Sequence, residues 1–237
     1  MGHELAQREP RRGRRLTLAA LVHVPQRPPL LVYSAHLEVF CGVLARITQF
    51  ADIIRDSKEH IDQGIVHQAV LGDLNTMGHG VARLSHRHCT DALRLRSLGW
   101  YEAEVWHAAV LSQMDPSYAR DPPVPAVSEA PGTSGIEAQS EMLGRDAHGS
   151  HSNQRLRRWG VSEAVCRDAL NPGFIDPFPM NLVTLDNPAY RLFGVSLMKG
   201  KLDWILLRRL HALATSVGND NYSMSDHKWI SASVSFK

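Results

Sequence analysis

The chain has 237 residues, 43% of them hydrophobic and 21% charged, with a formal net charge of +2. That is enough for one sizeable core and excludes a mini-protein that depends on staples. The near-neutral balance excludes a global basic field as the basis for binding polynucleotides or anionic membranes. Three cysteines, Cys41, Cys89 and Cys166, form no spaced disulfide framework, which points to a reducing, intracellular compartment, cytoplasmic or nuclear. The longest apolar run starts at Leu16 and is broken by His23 and Pro25, so no transmembrane segment is expected. No signal-peptide core lies near Met1.

Residues 1–15 form a basic N-terminal segment carrying Arg8, Arg11, Arg12, Arg14 and Arg15. Glu4 and Glu9 interrupt it, and a solvated entry loop is the expectation. Leu16 to Val24 is apolar and β-compatible. A Pro-rich break, Pro25 to Pro29, separates it from a second strand, Leu30 to His36, in a hairpin-like connection. From Phe40 to Lys58 the residues Phe40, Val43, Leu44, Ile47, Phe50, Ala51 and Ile54 recur at helical spacing, a single stripe laid on a sheet. Ile65 to Leu71 reads as the next strand, ending in Gly72-Asp73-Leu74-Asn75.

Thr90 to Leu98 and Tyr101 to Leu111 are helix candidates. Residues 113–153 are rich in Pro, Gly, Ser and acids and poor in large apolar residues. They cannot bury enough surface to offset their ordering entropy, so a disordered insertion of roughly forty residues is expected. A short helix follows at Val161 to Leu170, with Ser162 as N-cap. Leu202 to Leu207 and Lys228 to Phe236 are the last strands. Trp204 and Trp229 are expected on the core side of theirs. The class is α/β or α+β with mixed sheets, one domain over 16–112 and 154–237.

Four polar clusters sit at strand ends: His36, Asp73 with Asn75, Asp203, and Asp226 with His227. Each alone has a bland reading, a satisfied histidine or a turn whose Asp and Asn bond their own backbone. Together they are what a shared site at a sheet edge requires. Carboxylate and amide oxygens suit a hard divalent cation, which would polarise a phosphoryl oxygen. An Asp/His couple fixes an imidazole tautomer for proton transfer. No serine sits on a nucleophile elbow, which counts against a Ser-His-Asp hydrolase.

Ser34-Ala-His-Leu37, then Gly-Asp-Leu-Asn, Leu202-Asp-Trp-Ile-Leu206 and Ser225-Asp-His227, in that order, resemble the endonuclease/exonuclease/phosphatase superfamily, which includes deoxyribonuclease I. The resemblance spans about Leu16 to Phe236, the insertion excepted. It implies a four-layer α/β/β/α sandwich of two mixed sheets, a Mg²⁺ or Mn²⁺ cofactor, and hydrolysis of a phosphoester by water. The substrate could be nucleic acid, a phospholipid head group or an inositol phosphate.

By the same resemblance, Asp73 and Asn75 contact metal, water and the scissile phosphate. His227 handles the proton, Asp203 orients it, and Asp226 is a possible metal ligand. His36 stabilises the transition state or protonates the leaving group, and Tyr190 and Arg191 contact substrate. The family's opening strands, one ending in Asn and one supplying a Glu metal ligand, have no counterpart before Arg8. Two readings therefore stand: an active metal-dependent phosphoesterase, or a truncated or degenerate member serving as a binding or interaction domain. The second predicts exposed apolar sheet surface and pairing with another chain.

Other residues carry weaker expectations. Glu38 could face the site or be a solvated acid. Lys199 and Lys201 read as solvated lysines or phosphate contacts. Ser85-His-Arg-His-Cys89 reads as a surface loop or a substrate-contacting loop, since no second Cys/His pair completes a zinc site.

Overall fold

In a computed structural model of the chain, the described residues are 15–39, 43–76, 80–82, 106–118 and 163–237. The Thr90–Leu98 helix, the SHRHC cluster, the Ser162 cap and nearly all of the expected insertion lie outside them. The elements in chain order begin with strands β1 (Thr17–Val22) and β2 (Leu30–His36), helix α1 (Val43–Asp62) and strand β3 (His67–Asp73). Next come β4 (Gly80–Ala82), a π-helical turn (His107–Leu111) and the short helix α2 (Glu163–Asp168). A 3-10 turn (Pro188–Tyr190) leads into β5 (Arg191–Leu192), β6 (Val195–Ser196) and β7 (Met198–Gly200). The last strands are β8 (Asp203–Arg208), β9 (Leu210–Gly218) and β10 (Trp229–Phe236).

The central sheet has the order β1-β2-β3-β8. β1 is antiparallel to β2, β2 is parallel to β3, and β3 is antiparallel to β8. The parallel β2–β3 pair needs a crossover, and α1 supplies it. Alternation along each strand then sorts the side chains into two faces. Leu31, Tyr33, Ala35, Val70, Trp204 and Leu206 pack with Val43, Ile47, Phe50 and Ile54 of α1. Ala69, Ile205 and Leu207 face the other way and pack with the antiparallel β9–β10 hairpin through Ile230, Ala232, Val234 and Phe236. The described chain is thus a mixed α+β structure in three layers: helix, mixed sheet, hairpin sheet.

Two polar groups on the helical face, Tyr33 and Gln68, find partners there. The Tyr33 hydroxyl donates to Asp56 Oδ2 of α1 at 2.7 Å. Gln68, fully buried on β3, donates to the carbonyls of Ser57 and Ile65 and accepts from the Ser57 hydroxyl. Such satisfaction is what makes a buried amide tolerable.

Several expectations need correction. The helix continues past Lys58 to Asp62 and stops at Gly64, whose φ of 88° suits a helix C-terminus. Trp204 is fully buried, but Trp229 is 52% exposed, because β10 turns it to the outer face of the hairpin sheet. Lys201 is neither solvated nor free for phosphate. It is fully buried, paired with Asp176, with its ammonium 4.4 Å from the Trp204 ring centroid. The strand Leu210–Gly218 was not expected at all.

Candidate active site

Three of the expected residues lie on one rung of the central sheet. In the register, His36 on β2 stands opposite Asp73 on β3, and Asp73 stands opposite Asp203 on β8. By alternation all three share the face that carries Ala69, Ile205 and Leu207, the face turned toward the hairpin sheet. Their rung ends the parallel pair at its carboxyl edge, so the polar side chains emerge at the rim between the two sheets.

Local chain geometry explains how Asp73 reaches that rim. Gly72 has φ 134°, and a Cβ there would lie 2.0 Å from the Ala35 carbonyl oxygen of the neighbouring strand. Only glycine permits this approach. Asp73 Oδ1 accepts from the Asn75 N–H at 2.8 Å, and Asn75 has φ 48°, a left-handed conformation that asparagine tolerates. The Asn75 side-chain nitrogen donates to the Leu37 carbonyl at 2.9 Å, tying the ends of β2 and β3 together. The amide oxygen makes none of these bonds and is the Asn75 atom that could ligate a hard cation.

His227 arrives from the loop between β9 and β10. Its Nδ1 lies 2.9 Å from Asp203 Oδ2. A carboxylate is an acceptor, so Nδ1 carries the proton and Nε2 faces away from the couple. Asn219, at φ 64°, organises this loop: it donates to the carbonyls of Ser225 and His227 and accepts from the Met224 N–H. Asp73, Asp203 and His227 each place a ligand-capable atom within 4.8 Å of the others. His36 is more exposed, with Nε2 3.6 Å from Asp73 Oδ2.

Two carboxylates side by side set the electrostatics. Burial and then the charge of Asp203 raise the pKa of Asp73. The Asn75 N–H and the two histidines offset part of that. Burial works against the charge of His227, but the Asp203 hydrogen bond and the charges of Asp203, Asp73 and Asp226 outweigh it and raise its pKa. Excess negative charge at hard oxygen donors is the condition that a divalent cation relieves.

The remaining expected residues stand nearby but apart. Asp226 is outside the group of three; it accepts from the Tyr190 hydroxyl at 2.9 Å, which holds its carboxyl below the usual range. Arg191 and Lys199 both pair with Asp186. Glu38 is buried and bound by Arg15 at 3.2 Å. Among the described residues no glutamate belongs to the cluster of ligand-capable atoms.

Sequence reasoning passed over Thr184, whose hydroxyl accepts from the N–H groups of Leu202 and Asp203, and Asn219, which ties the His227 loop together. The Gly218-Asn219-Asp220-Asn221 run is a turn signal that could have marked the second. Nothing in the sequence marks the first. Comparison of the chain with family models, with curated proteins and with solved structures finds no match.

Proposed function

We propose that the chain is a divalent-metal-dependent phosphoesterase in which water attacks phosphorus at the His36–Asp73–Asp203 rung. The observation that carries this reading is the rung itself, with the His227 imidazole hydrogen-bonded to its last carboxylate. Asp73, with the Asn75 amide oxygen beside it, would hold Mg²⁺ or Mn²⁺. The cation would polarise a phosphoryl oxygen and neutralise developing charge.

The protein's own groups divide the remaining work. Asp203 fixes the His227 tautomer, leaving Nε2 to take the proton of the attacking water. His36, half exposed beside Asp73, donates to a phosphoryl or leaving oxygen as charge builds. Tyr190 and Arg191 would contact substrate. Tyr190 is held by Asp226 and Arg191 by Asp186. The four-layer sandwich belongs to this reading as well, with a further helical layer over the β9–β10 hairpin.

The test is Mg²⁺-dependent hydrolysis of bis-p-nitrophenyl phosphate. Activity is expected to fall at least about a hundredfold in Asp73→Ala. Metal-dependent turnover that survives this substitution would remove the site from consideration.

A second reading is favoured by β1. All six of its residues are exposed, and its outer edge pairs with no strand among the described residues. A family member without its opening motifs would expose such a surface and use it for another chain. It would bind metal or phosphoester without turning it over.

A further inference from the structure

We propose that Thr184 is a positioning residue for the Asp203–His227 couple, an inference that rests on reading that couple as catalytic. The two partners come from different parts of the fold: Asp203 starts β8 in the central sheet, and His227 lies in the loop that joins the two strands of the hairpin sheet. Their 2.9 Å contact depends on what holds these parts at a fixed separation.

Thr184 touches both. Its hydroxyl oxygen accepts from the backbone N–H of Leu202 at 3.0 Å and of Asp203 at 3.2 Å. Its carbonyl accepts from the N–H of Lys228, the residue after His227, at 2.8 Å. The Thr184 N–H donates to the Gly200 carbonyl at 3.0 Å, which anchors the residue to the strand leading into Asp203. Thr184 is fully buried, so water cannot replace these contacts when one is lost. One side chain therefore carries the acid's backbone while the same residue's main chain carries the imidazole's.

The arrangement explains why a hydroxyl is needed there. Valine has the same shape but no acceptor, and it would leave two buried N–H groups unpaired at the acid of the couple. The local answer is for the start of β8 to shift. A shift of about 1 Å between a catalytic acid and its imidazole costs about a hundredfold in rate. Serine keeps the oxygen and loses only a methyl group.

The experiment compares Thr184→Val, Thr184→Ser and Thr184→Cys in the full chain. Hydrolysis of bis-p-nitrophenyl phosphate with Mg²⁺ is expected to show kcat down about 10- to 100-fold in Thr184→Val with KM within about twofold. Thr184→Ser is expected to restore it. A second readout does not need turnover: the ring nitrogens of His227 in ¹⁵N-histidine-labelled protein, assigned by their loss in His227→Gln.

In wild type and Thr184→Ser the signature of an Nδ1-protonated, carboxylate-bonded ring is expected. In Thr184→Val that signature is lost, and in the weaker acceptor Thr184→Cys it is intermediate. If Thr184→Val does not fold, the Cys variant carries the comparison. An unchanged ring signature in the folded Val or Cys variant overturns the positioning role. If the wild type shows the signature and Val loses it, but no variant hydrolyses the ester, the positioning role holds and the phosphoesterase reading fails.

Discussion

Asp73 is asked to do two things at once. Oδ1 closes the turn by accepting the Asn75 N–H, and Oδ2 faces His36 across the rung. The turn expected of Gly-Asp-Leu-Asn is therefore present and uses only Oδ1, which leaves Oδ2 on the side of His36. His227 has a cleaner consequence for stability. Its folded-state pKa lies above the ordinary imidazole value of 6.5. The protonated ring is thus favoured in the folded chain, and its contribution is fully present below pH 6.5 and lost as pH rises through the raised value. Urea unfolding without metal is expected to show His227→Gln losing more stability at pH 5.5 than at pH 8.5. Equal losses at both would contradict the Asp203 pairing.

At this scale the residue types were legible before the structure. His36, Asp73, Asn75, Asp203 and His227 all come to one rim. Their hydrogen-bond partners were less so. Asp226, beside His227 in sequence, turns instead to the Tyr190 hydroxyl. A side chain's neighbour in sequence says little about which partner it takes. Lys201 shows the same limit: a lysine two residues before a site acid lies fully buried against Trp204, because an ion pair with Asp176 replaces its solvation.

Among the elements, strands bounded by strong punctuation were readable. Leu30–His36 follows two prolines and has the expected bounds. Leu210–Gly218 was hidden because its start carries no glycine or proline. The break from β8 is made by Arg209 at φ 54°, a left-handed conformation uncommon for arginine. Pairing is also invisible in one strand at a time. Only the register shows that His36, Asp73 and Asp203 share a rung.

Gly72 is where an element and the site depend on each other most. Gly72→Ala would force a methyl group into the Ala35 carbonyl and push β2 from β3. A loss of about 3 kcal/mol is expected in chemical unfolding, and activity is expected to fall even where the variant folds. A variant as stable as wild type would contradict the register.

For the whole molecule, the outstanding feature is the β1 edge of the central sheet, which pairs with no further strand among the described residues. β8 is covered by helix on one face and hairpin on the other. All six residues of β1 are exposed, with Leu18 at 68% and Leu21 at 44%. A long apolar edge strand is a template for pairing. The Leu18→Lys, Leu21→Lys double variant is expected to reduce self-association in sedimentation while leaving the melting temperature within a few degrees, since neither side chain is buried. A collapse of the fold would show that β1 is covered in solution. No described helix is long and apolar enough to cross a membrane.

The central claim is that one rung and one loop make a single metal-capable centre. Mn²⁺ titration followed by ring resonances of the histidines tests it most directly, because paramagnetic broadening falls steeply with distance. Broadening is expected for His36 and His227 at Mn²⁺ levels that leave the distant His60 sharp, and it is expected to disappear in Asp73→Asn. Broadening of His36 and His227 that persists in Asp73→Asn, or that never separates them from His60, would contradict the claim.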